Sequence, residues 1–134
     1  MKITIAGFSS VGKKTLIASL LNGERYRQRL GVTGSIEAFG YSFLPLDKMP
    51  YSKADTILFQ WQFDMHDMIS NSHKIYILWR DYKQHHLDWV KTYSQKHPWV
   101  AETTSDYLKK KWHDVTDHFQ GLDYEVINIT DWFK

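Results

Sequence analysis

Residues 2–23 read KITIAGFSSVGKKTLIASLLNG, and three kinds of local structure follow one another in this stretch. The apolar and β-branched run 2–6 predicts a buried strand that leads directly into Gly7. Beyond the glycines, one helical face collects four apolar residues before Asn22-Gly23 ends the helix: Leu16, Ile17, Leu20 and Leu21. The chain is therefore predicted to open with a strand, a glycine-rich turn and a helix, in that order.

The turn over residues 7–13 matches the pattern G-x-x-x-x-G-K. Glycines let such a turn close tightly, so that successive backbone N–H groups point at a phosphate, and the positive end of the helix dipole adds to the attraction. Lys13 would reach the same phosphate as a mobile point charge. The pattern predicts a phosphate-binding loop made of Gly7, Ser9, Ser10, Val11, Gly12, Lys13, Lys14 and Thr15.

Strands and helices continue to alternate along the rest of the chain. Strands are predicted near 36–43 and at 55–63, 73–79 and 124–129, and helices at 64–71, 82–96 and about 103–120. The helical interpretation of 82–96 depends on Leu87, Val90 and Tyr93, which are spaced i, i+3, i+6. The alternation predicts one compact α/β domain over residues 1–134, with a parallel sheet and flanking helices.

Charge and composition limit the classes of partner. The net charge is +2, which is too small to argue for nucleic acid, but residues 1–50 hold seven Lys and Arg against three Asp and Glu. This basic excess suits an anionic ligand near the glycines, although a solvated charged surface would show the same excess. With no cysteine, no signal-peptide pattern and no stretch of membrane-spanning length, we expect a cytoplasmic protein.

On the two glycines, Lys13 and the flanking strand and helix, the chain resembles the P-loop nucleoside triphosphatase superfamily. The resemblance implies that ATP, or another nucleoside triphosphate, is the ligand. Lys14 departs from the family pattern, because it stands where the Ser or Thr that binds Mg²⁺ is usual. Thr15 and Asp64 are the remaining candidates for a metal, so anion binding is better supported than magnesium-dependent hydrolysis.

Within the superfamily, the chain is similar to small nucleoside and nucleotide kinases in its length class, its strand–helix order and an arginine near the end of a late core strand. This similarity implies a phosphotransferase that acts on a nucleoside, a nucleotide or another small acceptor. Lys13 and Arg80 would stabilise charge on the transferring phosphoryl group, and Asp64 would orient the acceptor or a metal. Lys109–Lys111 would lie in the lid region, or simply on a solvated helix face.

Two alternatives remain open. Residues 74–93, KIYILWRDYKQHHLDWVKTY, resemble the sulfotransferase segment that grips the 3′-phosphate of a phosphosulfate donor, but Asp88 takes the place of its serine. The other alternative is a binding module without turnover. Two further sets could contribute to a nucleotide site: Arg25, Arg27 and Arg29 if they are extended, and several tryptophans as a stacking wall if they are not in the core.

Overall fold

The computed structural model of the chain describes residues 1–62 and 72–134. Within these residues, five strands form one sheet in which every neighbouring pair is parallel: β1 Lys2–Ala6, β2 Ile36–Phe39, β3 Thr56–Gln60, β4 Lys74–Trp79 and β5 Glu125–Asn128. The strand order is β2-β3-β1-β4-β5, so the strand that precedes the glycine turn lies at the centre of the sheet.

Five α-helices are described: α1 Lys13–Asn22, α2 Glu24–Arg29, α3 Tyr82–Tyr93, α4 Ser105–His118 and α5 Ile129–Trp132. Two 3₁₀ helices, Leu46–Tyr51 and Pro98–Glu102, lie in the connections. None of the helices within the described ranges is both long and apolar enough to cross a lipid bilayer.

Successive residues of a strand point to opposite faces of the sheet. Both faces carry apolar side chains here, and helices cover both. On one face, α1 and α5 pack against alternate strand residues, in a cluster that includes Ile3, Ile5, Leu16, Leu20, Leu58, Leu78 and Trp132. On the other face, Val115 of α4 and Phe119, which directly follows α4, join a cluster with Phe59, Trp61, Ile75 and Ile77. The predicted α/β class and parallel sheet are confirmed.

The parallel register brings the ends of four strands to one edge of the sheet. In β1, Ile3 pairs with Leu58 of β3 and with Lys74 of β4, so the three central strands run side by side in the same direction. The segments that follow β1, β2, β3 and β4 begin at Gly7, Gly40, Trp61 and Arg80. In open parallel sheets, ligands bind in the crevice outside this carboxyl edge.

Most predicted elements are found with shorter bounds. The strand predicted near 36–43 ends at Phe39, because Gly40 turns the chain with a φ of 135° that other residues rarely adopt. The segment of residues 24–29 is helical, which the sequence did not indicate. The helix predicted over 64–71 lies outside the described residues.

Of the three residues whose spacing indicated the buried face of helix α3, Val90 and Tyr93 pack partly against its core cluster, but Leu87 does not. Leu87 is 63% exposed, whereas the buried residues are His85 and Trp89, the latter only 4% exposed. Trp89 packs with Val100 and Leu108, so α3 faces the following 3₁₀ helix and α4. The buried face therefore follows the aromatic spacing 85, 89, 93, and the prediction that Leu87 marks that face is wrong.

This difference gives a stability test on a single helix. We expect Trp89→Ala to lower the free energy of unfolding by about 3–5 kcal/mol, because it empties a large buried site. Leu87→Ala is the matched control, and we expect a change within about 0.5 kcal/mol, since its side chain is mostly in water. Urea unfolding followed by circular dichroism measures both, and equal losses would contradict the assigned face.

Candidate functional site

The turn between β1 and α1, residues 7–15, is called the glycine loop here. Gly7 and Gly12 have φ values of 154° and 119°. A Cβ atom on Gly7 would lie 2.6 Å from Cγ1 of Val11, and one on Gly12 would lie 3.0 Å from Cγ1 of Ile129. Both the backbone angles and the close contacts therefore require glycine at these two positions.

Ser10 adopts a φ of 65°, and among the described residues it is the one non-glycine with positive φ. Such a conformation is costly for a residue with a side chain and persists only where surrounding contacts hold it. Here the backbone carbonyl of Ser10 accepts a hydrogen bond of 3.2 Å from Nη1 of Arg80. The loop is thus held in a defined shape from outside.

Three carbonyls of the loop accept hydrogen bonds from side chains. Nζ of Lys13 donates to the carbonyl of Gly7 at 2.7 Å, Nε2 of His85 donates to that of Ser9 at 2.7 Å, and Arg80 donates to that of Ser10. These donors come from α1, α3 and the end of β4. Each of these three carbonyls is therefore paired with a donor side chain, so its partial negative charge is offset within the protein.

Helix α3 and helix α4 hold the beginning of the loop through aromatic contacts. The ring of Phe8 lies 5.6 Å from that of Trp89 and 6.4 Å from that of Tyr107. One residue further on, the hydroxyl of Ser9 donates to the hydroxyl of Tyr93 at 2.7 Å. The loop is therefore fastened to the protein through both its backbone and its side chains.

Lys13 is a buried charge, with 6% of its surface exposed. Besides Gly7, its ammonium donates to the carbonyl of Trp61 at 3.2 Å, which ties the loop to the segment after β3. Burial lowers the pKa of Lys13 to about 8, because the charged form loses water. An ammonium has three N–H donors, so two bonds to carbonyls leave one donor for a ligand.

His85 holds the loop as a neutral ring. Burial is the main cause that lowers its pKa, and the positive charges of Arg80 and Lys13 act in the same direction, against the hydrogen bond to Ser9 and the charge of Asp88. A neutral ring that bonds to a carbonyl must carry its proton on Nε2. His85 is therefore a fixed donor to the loop and a poor candidate for a base.

An open cavity of about 730 Å³ lies against the glycine loop. Its cationic residues are Lys13, Lys14 and Arg80, and its remaining walls are backbone and neutral side chains. Tyr41 and Ser42 come from the turn after β2, Gln60 and Gln62 from the end of β3, and Tyr93 from α3. No Asp or Glu of the described residues is among those that line it.

Most of the predicted loop residues line this cavity: Gly7, Ser9, Ser10, Gly12, Lys13, Lys14 and Thr15. Val11 does not, because its side chain is buried in the core beside Gly7. Arg80 lines the cavity too, but its Nη2 lies 2.5 Å from Oδ2 of Asp88, so an acidic partner offsets part of its charge. Asp64 lies outside the described residues.

Sequence reasoning missed several residues of the site, among them Tyr41, Ser42, Gln60, Gln62, His85 and Tyr93. The turn after β2 is set by long-range contacts, since the amide of Ser42 donates to Oε1 of Gln60 at 3.3 Å. Nothing local in the sequence signals such a contact. For α3, however, the four-residue spacing of His85, Trp89 and Tyr93 was a readable signal of one helical face.

Other candidates from the sequence lie elsewhere. Arg25 and Arg29 sit on α2, where they donate to the carbonyls of Lys134 and Trp132 and pack on Tyr26, so the extended cationic edge does not form. Lys109–Lys111 belong to α4 and are not among the described residues that line the cavity. No tryptophan of the described residues lines it either.

The residues around the glycine loop do not fit a magnesium ion well. Magnesium prefers carboxylate oxygens, together with phosphate and water, in an octahedral arrangement. Thr15 offers a hydroxyl, but Lys14 beside it carries a positive charge, and the described lining contains no carboxylate. Nor do the described residues group three His, Asp or Glu side chains in a way that could hold a metal.

The buried charge of Lys13 predicts a dependence of stability on pH. Because its pKa is about 8 in the folded protein and about 10.5 when unfolded, the unfolded state binds more protons between these values, and this residue adds stability as the pH rises through them. We expect the unfolding free energy of the wild type, relative to Lys13→Met, to increase by about 2–3 kcal/mol from pH 7 to pH 10.5.

The difference between the unfolding free energies of the wild type and Lys13→Met removes the contributions of the other titrating groups, which the two proteins share. Chemical unfolding at a series of pH values measures it. A difference that stays constant over this range would show that the ammonium of Lys13 is not buried as described.

Neither a scan against protein-family models nor a search of the curated proteins finds a match to this chain. What the site does is therefore inferred from its own geometry.

Proposed function

We propose that the chain binds a nucleoside triphosphate or a closely related phosphorylated ligand, with the phosphates against the glycine loop. The observation that carries this proposal is the arrangement of the loop itself. Three of its carbonyls accept hydrogen bonds from Lys13, His85 and Arg80, and the cavity beside the loop is lined by three cationic residues and by no acid of the described residues. Such a surface attracts anions and repels cations.

The start of α1 supports the same conclusion. The first N–H groups of a helix have no partner within the helix, and α1 has neither a side-chain cap nor an acidic residue in its first turn. Lys13, Lys14 and Thr15 form that turn, and all three line the cavity. The unpaired donors and the positive helix end therefore favour a phosphate at this position.

The size and walls of the cavity favour a ligand larger than inorganic phosphate. A volume of about 730 Å³ is typical of sites for small organic molecules. Tyr41 is 74% exposed at the cavity wall, where its ring has a free face for an aromatic group. A nucleoside attached to the phosphates would have this surface to pack on, which supports a nucleotide as the proposed ligand class.

Phosphoryl transfer, which the kinase resemblance implies, has less support than binding. Lys13 and Arg80 line the cavity and could stabilise charge on a phosphoryl group. A carboxylate to hold a metal or to accept a proton is missing from the described lining, and Asp64 lies outside the described residues. The structure adds no support for a sulfotransferase. The 3′-phosphate of the donor would need Arg80 as an unpaired cation, but Arg80 forms an ion pair with Asp88.

A charge-removing variant tests the binding site. We expect Lys13→Met to weaken ATP binding about 10- to 100-fold, because it removes a charged hydrogen-bond donor while keeping an unbranched side chain. Isothermal titration calorimetry measures the affinity. Lys110→Met is the matched control on the exposed face of α4, and it should bind ATP like the wild type. Equal binding by the wild type and Lys13→Met would refute the loop assignment.

The pKa of Lys13 also predicts how binding varies with pH. A bound phosphate favours the ammonium form, so the ligand binds the protonated protein. We expect the affinity for ATP to be constant just below pH 8 and to fall by up to about tenfold per pH unit above it. Titrations at pH 7.5, 8.5 and 9.5 measure this, and Lys13→Met should show a flat profile. A wild-type profile as flat as that of the variant would exclude Lys13 as a ligand contact.

A further inference from the structure

Lys14 adds a second positive charge beside that of Lys13 at the start of α1. It directly follows Lys13 in the first turn of α1, it is exposed, and it lines the cavity. Lys13 donates to two carbonyls, whereas the ammonium of Lys14 makes no hydrogen bond or ion pair with the described residues. Its charge is therefore available to a ligand in the cavity.

Among the described residues, the other groups that line the cavity at this end of the sheet do not compensate that charge. Arg80 is paired with Asp88, whose side chain is 43% exposed and is not among the cavity-lining residues. At the end of β3, where a carboxylate could hold a cation, the lining residues in the described part of the chain are Gln60 and Gln62. An amide carries no net charge, so it cannot offset the two lysines.

A divalent cation at this position would meet the ammonium of Lys14 at short range. The repulsion grows with the product of the charges and falls with their separation, so it is twice that between two monovalent cations at the same distance. In the described part of the site no acidic side chain reduces it. A polyphosphate complexed with Mg²⁺ would also bring less negative charge to the two lysines than the free anion does.

We propose that the glycine loop binds its polyphosphate free of a divalent cation, with the Lys14 ammonium neutralising phosphate charge directly. This inference rests on the proposed function and adds the form of the ligand that the site selects. Lys14 is then a specificity-determining residue, which favours the uncomplexed anion over its magnesium complex. Lys13 and the N–H groups at the start of α1 contact phosphate oxygens in either case.

The test compares ATP binding in excess EDTA and in excess Mg²⁺ by isothermal titration calorimetry. We expect the wild type to bind ATP at least about tenfold more tightly in EDTA, since Lys14 adds a charged contact that magnesium opposes. For Lys14→Thr we expect the affinity in EDTA to fall about tenfold and the preference for EDTA to disappear. The exposed position of Lys14 means that this variant keeps the fold.

Two controls separate charge from side-chain identity. Lys14→Arg keeps the positive charge and should retain the preference for the uncomplexed anion, while Lys110→Thr changes an exposed lysine outside the described lining and should behave like the wild type. Inorganic triphosphate serves as a second probe. If the preference belongs to the phosphate chain, it will appear with this ligand as well as with ATP.

The outcomes distinguish this inference from the proposed function. Tighter wild-type binding with Mg²⁺ than with EDTA overturns the inference and leaves the nucleotide site in place. Equal EDTA affinities for the wild type and Lys14→Thr overturn the role of Lys14. No binding of either probe under both conditions overturns the proposed function and the inference together.

Discussion

The buried ammonium of Lys13 ties both ends of the glycine loop to each other and to the segment after β3. It bonds to the carbonyl of Gly7 at the beginning of the loop and to that of Trp61 beyond the end of β3. An unsolvated charge is costly, and its lowered pKa reports that cost. Hydrogen bonds to two carbonyls offset part of it, and the anion proposed above as the ligand would offset more.

The parallel sheet explains why so many separate segments meet at this point. Parallel strands deliver their following segments to one edge, and the glycine loop, the Tyr41 turn and Arg80 all begin there. The side chains that these segments place around the cavity carry charge of one sign, since the described lining has three cationic residues and no acidic one. The fold thus places the crevice, while the side chains at its rim set the charge of its described walls.

The sequence was most informative where local patterns determine structure. The strand before Gly7, the turn and the helix after it follow from short apolar runs and glycine spacing, and the parallel sheet followed from the alternation of elements. The α2 helix was missed because residues 24–29 are charged and polar, with no apolar face to read, and its arginines bond to the carbonyls of Trp132 and Lys134. The cavity walls were missed because Tyr41, Gln60 and Gln62 meet only through the tertiary fold.

Helix α3 meets the glycine loop with residues spaced by four along a single face: His85 bonds to Ser9, Trp89 packs on Phe8, and Tyr93 bonds to the Ser9 hydroxyl. Each residue of an α-helix turns the chain by about 100°, so a single inserted residue within α3 would rotate part of this face away from the loop. Point substitutions change these contacts one at a time, whereas an insertion would remove two or three together. The length of α3, more than the identity of most of its exposed residues, is therefore the property that evolution or redesign must conserve.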